Sequence, residues 1–150
     1  MPVMETEDPL ALERQVCFAL AVASRSVIAV YRPLLEPLGL THPQYLVLLA
    51  LWQQSPRSGR ELSDVLQLDP GTLSPLLKRL EAAGFVRRER DIRDERMLAV
   101  TLTEAGLALR DEALKIPPAV VSRLGLEISE LEQLHASLTR VIAAARPAVD

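Results

Sequence analysis

Apolar side chains recur with helical spacing over most of the chain. In the first segment, apolar or small residues return every three or four positions from Leu10 to Tyr31, which predicts a long helix. Asp8 is expected as its N-cap and Pro9 as its first residue, because a proline there loses no intrahelical hydrogen bond. Pro33 and Pro37 are expected to bend or end this helix.

Three further helices are predicted before residue 85. Thr41-His42-Pro43 begins an almost wholly apolar helix, and Ser58 begins a short helix over 59–66, capped together with Glu61. The next helix follows a turn over 68–71 and ends at Gly84, a C′ glycine. Either Thr72 or Ser74 is expected to cap it, because both choices leave Pro75 in the first turn.

A β pattern is found only after Gly84. Residues 85–90 and 97–102 read as two strands of a hairpin, joined by the charged loop 91–96. Thr103 then caps a helix that runs to about Lys115, where Pro117-Pro118 breaks it, and 128–145 resumes the helical pattern. Two helices joined by a tight turn and followed by a hairpin predict a mainly α fold of the winged helix-turn-helix type.

Composition narrows the classes of function. The 150 residues are 49% hydrophobic, which suits one compact domain. With one Cys a disulfide scaffold is impossible, and the two histidines lie far from Cys17 and from each other, so neither a metal nor a cofactor is expected. The first nine residues are acidic, unlike a signal peptide, and the uncharged apolar stretch 16–24 is too short to cross a bilayer. These features predict a cytoplasmic protein that does not bind a membrane.

Basic residues are concentrated in one segment. The chain has a net charge of −3, but residues 71–96 hold seven basic and five acidic side chains. On the helix after the turn, leucines can share the inward face while Thr72, Ser74, Pro75, Lys78 and Arg79 lie near its start or point outward. The hairpin loop adds Arg93 and Arg96, with Asp94 placed to brace Arg96. A helix for the major groove and arginines for the minor groove predict binding to double-stranded DNA.

Several stretches resemble the MarR family of winged-helix regulators. They are residues 69–81, the loop sequence Arg93-Asp94-Glu95-Arg96, and Leu102-Thr103-Glu104-Ala105-Gly106. The front half is similar to the organic hydroperoxide-resistance regulators of that family, through residues 15–20, Ser24-Arg25, 31–35 and 41–46. The similarity covers about residues 10–145 and includes Cys17.

The resemblance implies a homodimeric repressor of a palindromic operator, formed as a single domain over 1–150. Helices at about 9–38 and 104–146 would form the dimer interface, and about 55–102 would form the DNA-binding lobe. Cys17 would be the sensor of organic hydroperoxide, supported by Tyr31 of the partner subunit and by Arg25, His42 and Tyr45. Ala21 and His42 stand where other members carry tyrosine.

A thiolate at Cys17 would react with peroxide to give a sulfenic acid. Because the chain has no second Cys, that acid would be capped by a low-molecular-weight thiol, cyclise with a backbone nitrogen, or oxidise further. Two alternatives stay open: a MarR-type regulator of a small aromatic or apolar ligand in which Cys17 is only structural, and a thiol peroxidase. The absence of a resolving Cys disfavours the peroxidase, so no enzyme activity is expected.

Overall fold

The computed structural model describes residues 8–90 and 97–146. The helices are α1 (Val16–Leu35), α2 (His42–Gln53), α3 (Gly59–Leu66), α4 (Pro70–Ala82), α5 (Glu104–Ala113), α6 (Ile116–Leu124) and α7 (Ile128–Ala145). The strands are β1 (Arg57–Ser58), β2 (Val86–Arg90) and β3 (Leu98–Leu102). The mainly α architecture with a small hairpin sheet agrees with the fold predicted from the sequence.

The described residues form two compact units, one ending at Leu114 and the other beginning at Lys115. The first unit holds α1 to α5 and an antiparallel sheet with strand order β1-β3-β2. β2 pairs with β3 from Val86↔Leu102 to Arg90↔Leu98, as the predicted hairpin requires. The core of this unit consists of side chains with at most 1% exposure: Leu35, Val47, Leu48, Leu51, Leu62, Leu80, Val86 and Val100.

Local capping signals were predictive for three helices. The side chains of Thr41, Ser58 and Thr103 accept hydrogen bonds from the N–H groups three residues onward, at 3.4, 3.0 and 3.1 Å. Helix α4 ends as expected, because Gly84 has a left-handed φ of 86°. The Phe85 N–H then donates to the Leu80 carbonyl at 3.0 Å, which closes the turn into β2.

The predicted start of α1 at Pro9 is wrong. Asp8 does accept a hydrogen bond, from the Leu10 N–H at 2.9 Å, but the chain continues as a 3-10 turn over Leu12–Arg14. The α-helix begins at Val16, with Gln15 as N-cap. Leu10 is 85% exposed, so a helix there would bury no apolar face and would gain nothing from packing.

The prolines do less to interrupt helices than the sequence analysis expected. Pro33 lies inside α1, which continues to Leu35 before a 3-10 turn over Glu36–Leu38. Pro117 and Pro118 follow Ile116 in the first turn of α6, where their missing N–H groups cost no intrahelical bond. The pair therefore begins a helix as well as separating it from α5.

Strand β1 was not predicted, since residues 55–59 read as a loop. Arg57 and Ser58 pair with Val100 and Ala99 of β3, and Ser55 Oγ accepts a hydrogen bond from the Leu102 N–H at 3.1 Å. Two residues carry no periodic signal, and their partners lie about forty positions away. A segment this short becomes a strand only because β3 offers it an open edge.

Two helices leave apolar side chains uncovered in the single chain. In α1 only Leu35 is buried, and Val16, Phe18 and Ile28 are exposed. In α7 no residue is buried, although apolar side chains recur at Leu131, Leu134, Leu138, Val141 and Ala145 with the alternating spacing of a helix–helix seam. Such faces are typical of helices that pack against another chain.

The apolar character of α1 also bears on the membrane prediction. The segment Val16–Leu38, 23 residues with a mean hydropathy of 1.4, is long and apolar enough to span a bilayer, and 6% of it is buried. The uncharged apolar stretch 16–24 is too short to cross a bilayer, but the whole helix is not, so the length of this segment does not exclude a membrane span. By itself such a helix is weak evidence, because a helix that pairs with another chain has the same composition.

Candidate DNA-binding surface and redox site

Helix α4 presents one apolar and one polar face. Leu73, Leu76, Leu77 and Leu80 are buried, as predicted. The opposite face carries the predicted DNA-binding side chains: Thr72, Pro75, Lys78 and Arg79 are exposed, and Ser74 is half-buried. The structure thus brings all five onto or beside the solvent face of a single helix of the helix-turn-helix.

The cap of α4 differs from the prediction. Asp69 is the N-cap and Pro70 the first helical residue, so Pro75 lies inside the helix rather than in its first turn. Asp69 accepts hydrogen bonds from the Thr72 N–H at 2.8 Å and from the Thr72 hydroxyl at 3.2 Å. Asp-Pro is favourable at these two positions because the carboxylate satisfies free N–H groups and proline needs none.

The Asp69 cap changes how α4 can meet a phosphate. The sequence predicts phosphate contacts at free N–H groups of the helix start, but one of these N–H groups is taken and a carboxylate lies beside it. A phosphate at that position would be repelled by Asp69. The cationic side chains of Lys78 and Arg79, farther along the exposed face, are better placed for such contacts.

The hairpin of β2 and β3 is the wing of this fold. The predicted DNA-binding residues Arg93, Asp94 and Arg96 lie in 91–96, outside the described residues. Their assignment to a wing loop rests on the pairing of Arg90 with Leu98, which brings both ends of the loop together.

The wing is also tied to α4 by a contact that the sequence analysis missed. Glu81, near the end of α4, accepts hydrogen bonds from Arg88 of β2, and the shortest joins Arg88 Nη2 to Glu81 Oε1 at 2.9 Å. The Arg88 guanidinium and backbone N–H hold the pKa of the Glu81 carboxyl below its usual value. One feature of the sequence could have indicated this contact: Glu81 is an acid in the last turn of a helix, where the helix dipole disfavours it unless a cation lies nearby.

Three of the predicted sensor-supporting residues form an aromatic cluster with Trp52. The ring centroids of Tyr31 and His42 are 4.8 Å apart, those of Tyr31 and Tyr45 are 5.7 Å apart, and those of Tyr45 and Trp52 are 6.5 Å apart. Burial, which is nearly complete for Tyr45 and partial for Tyr31 and His42, raises the pKa of both tyrosines and lowers the pKa of His42. Near neutral pH the cluster is therefore uncharged, with two phenol groups able to donate hydrogen bonds.

Cys17 lies apart from this cluster within the chain. It is exposed on α1, and Tyr31 is fourteen residues farther along the same helix. At a rise of 1.5 Å per residue, the two positions are about 21 Å apart along the helix axis. Arg25 is exposed and about 12 Å from Cys17 by the same measure. One chain alone therefore does not assemble the predicted redox site.

Cys17 and Tyr31 nevertheless share a face of α1. Fourteen residues at 100° each return to within about 40° of the starting direction, and Ser24 and Ile28 fall within about 20° of Cys17. Cys17, Ser24 and Ile28 are exposed, and Tyr31 is half-buried at the end of this row. The predicted sensor and its predicted partner thus line one open stripe of the helix.

The aromatic cluster connects to the wing through hydrogen bonds and close packing. Trp52 Nε1 donates to the Gly106 carbonyl of α5 at 2.9 Å. A Cβ at Gly106 would overlap the carbonyl oxygen of Phe85, and the Thr103 hydroxyl donates to the Gly84 carbonyl at 2.6 Å. Helix α2, the start of α5 and the start of β2 are therefore in direct contact.

Comparison with known proteins identifies the same fold and family. A sequence model of the MarR family matches residues 40–98. The chain is 40% identical over 131 residues to the organic hydroperoxide resistance transcriptional regulator of Bacillus subtilis, covering 87% of this chain and 89% of that protein.

Solved structures of two proteins resemble the chain over nearly its whole length. Reduced AbfR bound to DNA has a TM-score of 0.74 and 34% identity, covering 89% of this chain and 93% of AbfR, and an overoxidized form bound to DNA is equally similar. CouR from Rhodococcus jostii, bound to p-coumaroyl-CoA, has a TM-score of 0.78 and 26% identity, covering 94% of this chain and 99% of CouR. Together with the winged helix-turn-helix, these similarities show that the chain belongs to the MarR family and is a DNA-binding transcriptional regulator rather than an enzyme.

Proposed function

We propose that the protein is a homodimeric, cytoplasmic repressor that releases its operator when organic hydroperoxide oxidises Cys17. The observation that carries the proposal is the position of the chain's one thiol, exposed on the open stripe of α1 that also holds Tyr31. A buried thiol surrounded by apolar side chains would have favoured a structural role instead. The similarity to the B. subtilis regulator supports the choice of oxidant.

A second copy would complete the redox site. If two α1 helices pack antiparallel about a two-fold axis, Cys17 of each copy can contact Tyr31 of the other. The two-fold axis then passes near residue 24, which is midway between positions 17 and 31. Position 24 is Ser, whose small side chain allows two helices to approach closely. The uncovered apolar faces of α1 and α7 supply the remaining contacts of the proposed dimer.

The phenol of Tyr31 from the partner copy would then activate Cys17. A hydroxyl that donates a hydrogen bond to sulfur favours the thiolate, which is the nucleophilic form. The thiolate, whose proton has passed to solvent, attacks the terminal peroxide oxygen, so an S–O bond forms and the O–O bond breaks. The alkoxide that leaves takes up a proton from solvent and becomes the alcohol. Sulfur is oxidised to a sulfenic acid and the peroxide is reduced.

The second step uses a low-molecular-weight thiol. Its sulfur displaces the hydroxyl of the sulfenic acid, forming a mixed disulfide and releasing water. The overoxidized form of AbfR is bound to DNA, so in that relative added oxygen atoms do not prevent a DNA complex. We therefore propose the bulkier mixed disulfide as the adduct that releases DNA from this protein.

The signal would pass from the interface to the DNA-binding lobe through the aromatic cluster. An adduct at Cys17 would displace the partner's Tyr31, whose ring lies against His42 and Tyr45. Tyr45 in turn faces Trp52, which is hydrogen-bonded to Gly106 beside the start of the wing. A shift of α2 would thereby change the spacing of the two DNA-binding lobes.

A second candidate function is a ligand-controlled regulator in which Cys17 only packs. A cleft of about 300 Å³ lies beside the aromatic cluster and is lined by Arg32, Leu35, Leu40 and His42 among others. Its lining combines apolar side chains with the charged Arg32 and Glu36 and the ring of His42, which suits a small aromatic ligand. CouR, which is bound to p-coumaroyl-CoA, is a relative of this kind.

Operator binding before and after oxidation separates the two candidates. Reduced protein is titrated with its own promoter DNA, then treated with a small excess of cumene hydroperoxide and a low-molecular-weight thiol, with intact mass recorded on the same samples. The proposal predicts loss of binding together with an adduct confined to Cys17, and no loss for Cys17→Ser. Retained binding with Cys17 fully modified would contradict the redox switch and favour the ligand-controlled regulator.

A further inference from the structure

The contact between Glu81 and Arg88 joins the two parts of the DNA-binding surface. Glu81 Oε1 accepts from Arg88 Nε at 3.2 Å and from Nη2 at 2.9 Å, and Oε2 accepts from the Arg88 backbone N–H at 3.1 Å. Both side chains are partly shielded, with exposures of 39% for Glu81 and 21% for Arg88. The two nitrogens of the guanidinium fix its direction, which a lysine ammonium could not do.

This pair is unfavourable for DNA affinity considered as charge alone. Glu81 places a carboxylate on the helix that faces DNA, and it neutralises one of the arginines of the wing. It also lies in the last turn of α4, where the helix dipole disfavours an acid. Replacing Glu81 with a neutral residue should therefore increase attraction to any duplex.

Geometry gives the pair a different role. The connection from α4 to β2 consists of Ala83, Gly84 and Phe85, where the Phe85 N–H donates to the Leu80 carbonyl and Thr103 donates to the Gly84 and Phe85 carbonyls. Arg88 lies three residues beyond Phe85, opposite the fully buried Val100 of β3. By joining Arg88 directly to Glu81, the pair adds a link between the middle of β2 and α4 to these contacts and to the pairing of β1 with β3.

We infer that Glu81 and Arg88 are a positioning pair that sets the direction of the wing relative to α4 and so determines operator specificity. The inference rests on the proposed operator binding, in which α4 and the wing must reach two neighbouring grooves at once. Without this link the wing would still be attracted to DNA. The wing would no longer be held in the direction, relative to α4, in which both elements contact the same operator site.

Glu89, the residue that follows Arg88 in β2, provides the matched control. Glu89 lies on the opposite face of β2, in a 3.7 Å contact with Arg87 in which both side chains are more than 60% exposed. Glu81→Gln and Glu89→Gln each remove one negative charge, the first from the end of α4 and the second from β2. Only the first removes a link to α4.

The test measures affinity for promoter DNA and for an unrelated duplex of equal length, with reduced wild type and each variant. Glu81→Gln is expected to lose roughly five- to tenfold in promoter affinity while its affinity for the unrelated duplex is unchanged or higher. Glu89→Gln is expected to bind both at least as tightly as wild type. Equal behaviour of the two variants would overturn the inference.

Arg88→Lys provides a second route that does not depend on Glu81→Gln folding. It keeps the charge and loses the fixed direction, so promoter affinity should fall with no change on the unrelated duplex. Wild-type promoter affinity for Arg88→Lys would overturn the inference even if Glu81→Gln fails to fold. Failure of the wild type itself to prefer its promoter would instead overturn the proposed operator binding.

Discussion

The DNA-binding lobe and the terminal helices differ in how much of their apolar surface one chain covers. In the described part of 57–102, the leucines of α4 are buried, the helix caps are satisfied and the wing is held by Glu81 and Arg88. In α1 only Leu35 is buried and in α7 no residue is buried. One chain therefore completes the lobe that reads DNA and leaves the proposed redox site for two chains to assemble.

The difference suggests that the DNA-binding lobe and the terminal helices have separate roles, the first in binding DNA and the second in sensing. A lobe that is rigid in itself can be moved as a unit, while a site shared by two chains is sensitive to anything that alters their packing. Placing the thiol on the shared surface would convert a local chemical change into a change of spacing. The following predictions test that division.

The largest effect is expected from a charge on the open face of α7. Val141→Glu should raise the dissociation constant of the dimer by roughly 100-fold or more, because the dimer would bury an unpaired carboxylate. Promoter affinity should fall with it, since a monomer engages one half-site only. Analytical ultracentrifugation and promoter titration measure both. Arg140→Glu, one residue away, is the control and should stay dimeric; dimers of Val141→Glu at wild-type strength would remove α7 from the interface.

Gly106→Ala is expected to damage the junction between α5 and the wing. Its Cβ would overlap the Phe85 carbonyl oxygen, which should lower the free energy of unfolding by about 1–3 kcal/mol. For a chain of this size that corresponds to a melting temperature lower by roughly 3–10 °C. Gly59→Ala, where nothing lies within 4 Å of the added Cβ, should be nearly neutral. Similar melting temperatures for the two variants would show that the junction is not tightly packed.

Arg96→Ala tests the wing without touching the dimer. Loss of one wing charge should weaken promoter binding severalfold and reduce the slope of log affinity against log salt by about one, because one fewer counterion is released. Arg146→Ala removes a charge from the end of α7 and should leave the slope unchanged. An unaltered slope for Arg96→Ala would contradict the assignment of this residue to the DNA contact.

The smallest effect is expected from His42. Its pKa is lowered by partial burial, so below the ordinary pKa of 6.5 the unfolded chain binds a proton that the folded chain does not. Stability should therefore fall as pH is lowered from 7.5 to 5.5, by less than about 3 °C in melting temperature because the ring is only half-buried. His42→Gln should flatten this dependence. A dependence unchanged in His42→Gln would assign it to other groups.

The sequence was most predictive where structure is decided locally. The caps at Thr41, Ser58 and Thr103 and the C′ glycine Gly84 were each found from a few adjacent residues. Glu81 and Arg88 were missed as a pair, although they are only seven residues apart, because their contact depends on how β2 leaves α4.

Two Asp-Pro pairs show why local signals were not enough. Asp8-Pro9 was predicted to start a helix and does not, whereas Asp69-Pro70 starts α4 and was overlooked. Leu12, three residues after Pro9, is 59% exposed, and Leu73, three residues after Pro70, is 3% exposed. Packing of the following turn decides which cap is used, and packing cannot be read from four residues.

The redox site was predictable only as a set of residues. The resemblance to the organic hydroperoxide-resistance regulators indicated Cys17, Tyr31, Arg25, His42 and Tyr45, and three of these, Tyr31, His42 and Tyr45, meet in one cluster. Cys17 is about 21 Å from Tyr31 along α1, so the predicted contact can form only between copies. The spacing of apolar residues within one chain does not show how the α1 helices of two copies align with each other.

The central claim is that Cys17 and Tyr31 act together across two chains, and subunit mixing tests it directly. Tyr31→Phe homodimers should react with cumene hydroperoxide about tenfold more slowly than wild type, because the sulfur loses a hydrogen-bond donor. An excess of Cys17→Ser subunits is then mixed with tagged Tyr31→Phe subunits, and adduct formation at Cys17 of the tagged chain is followed by intact mass. The account predicts that the rate recovers in the mixture, since each mixed dimer contains one Cys17 facing one Tyr31. A rate that stays at the Tyr31→Phe value would contradict a redox site shared between chains.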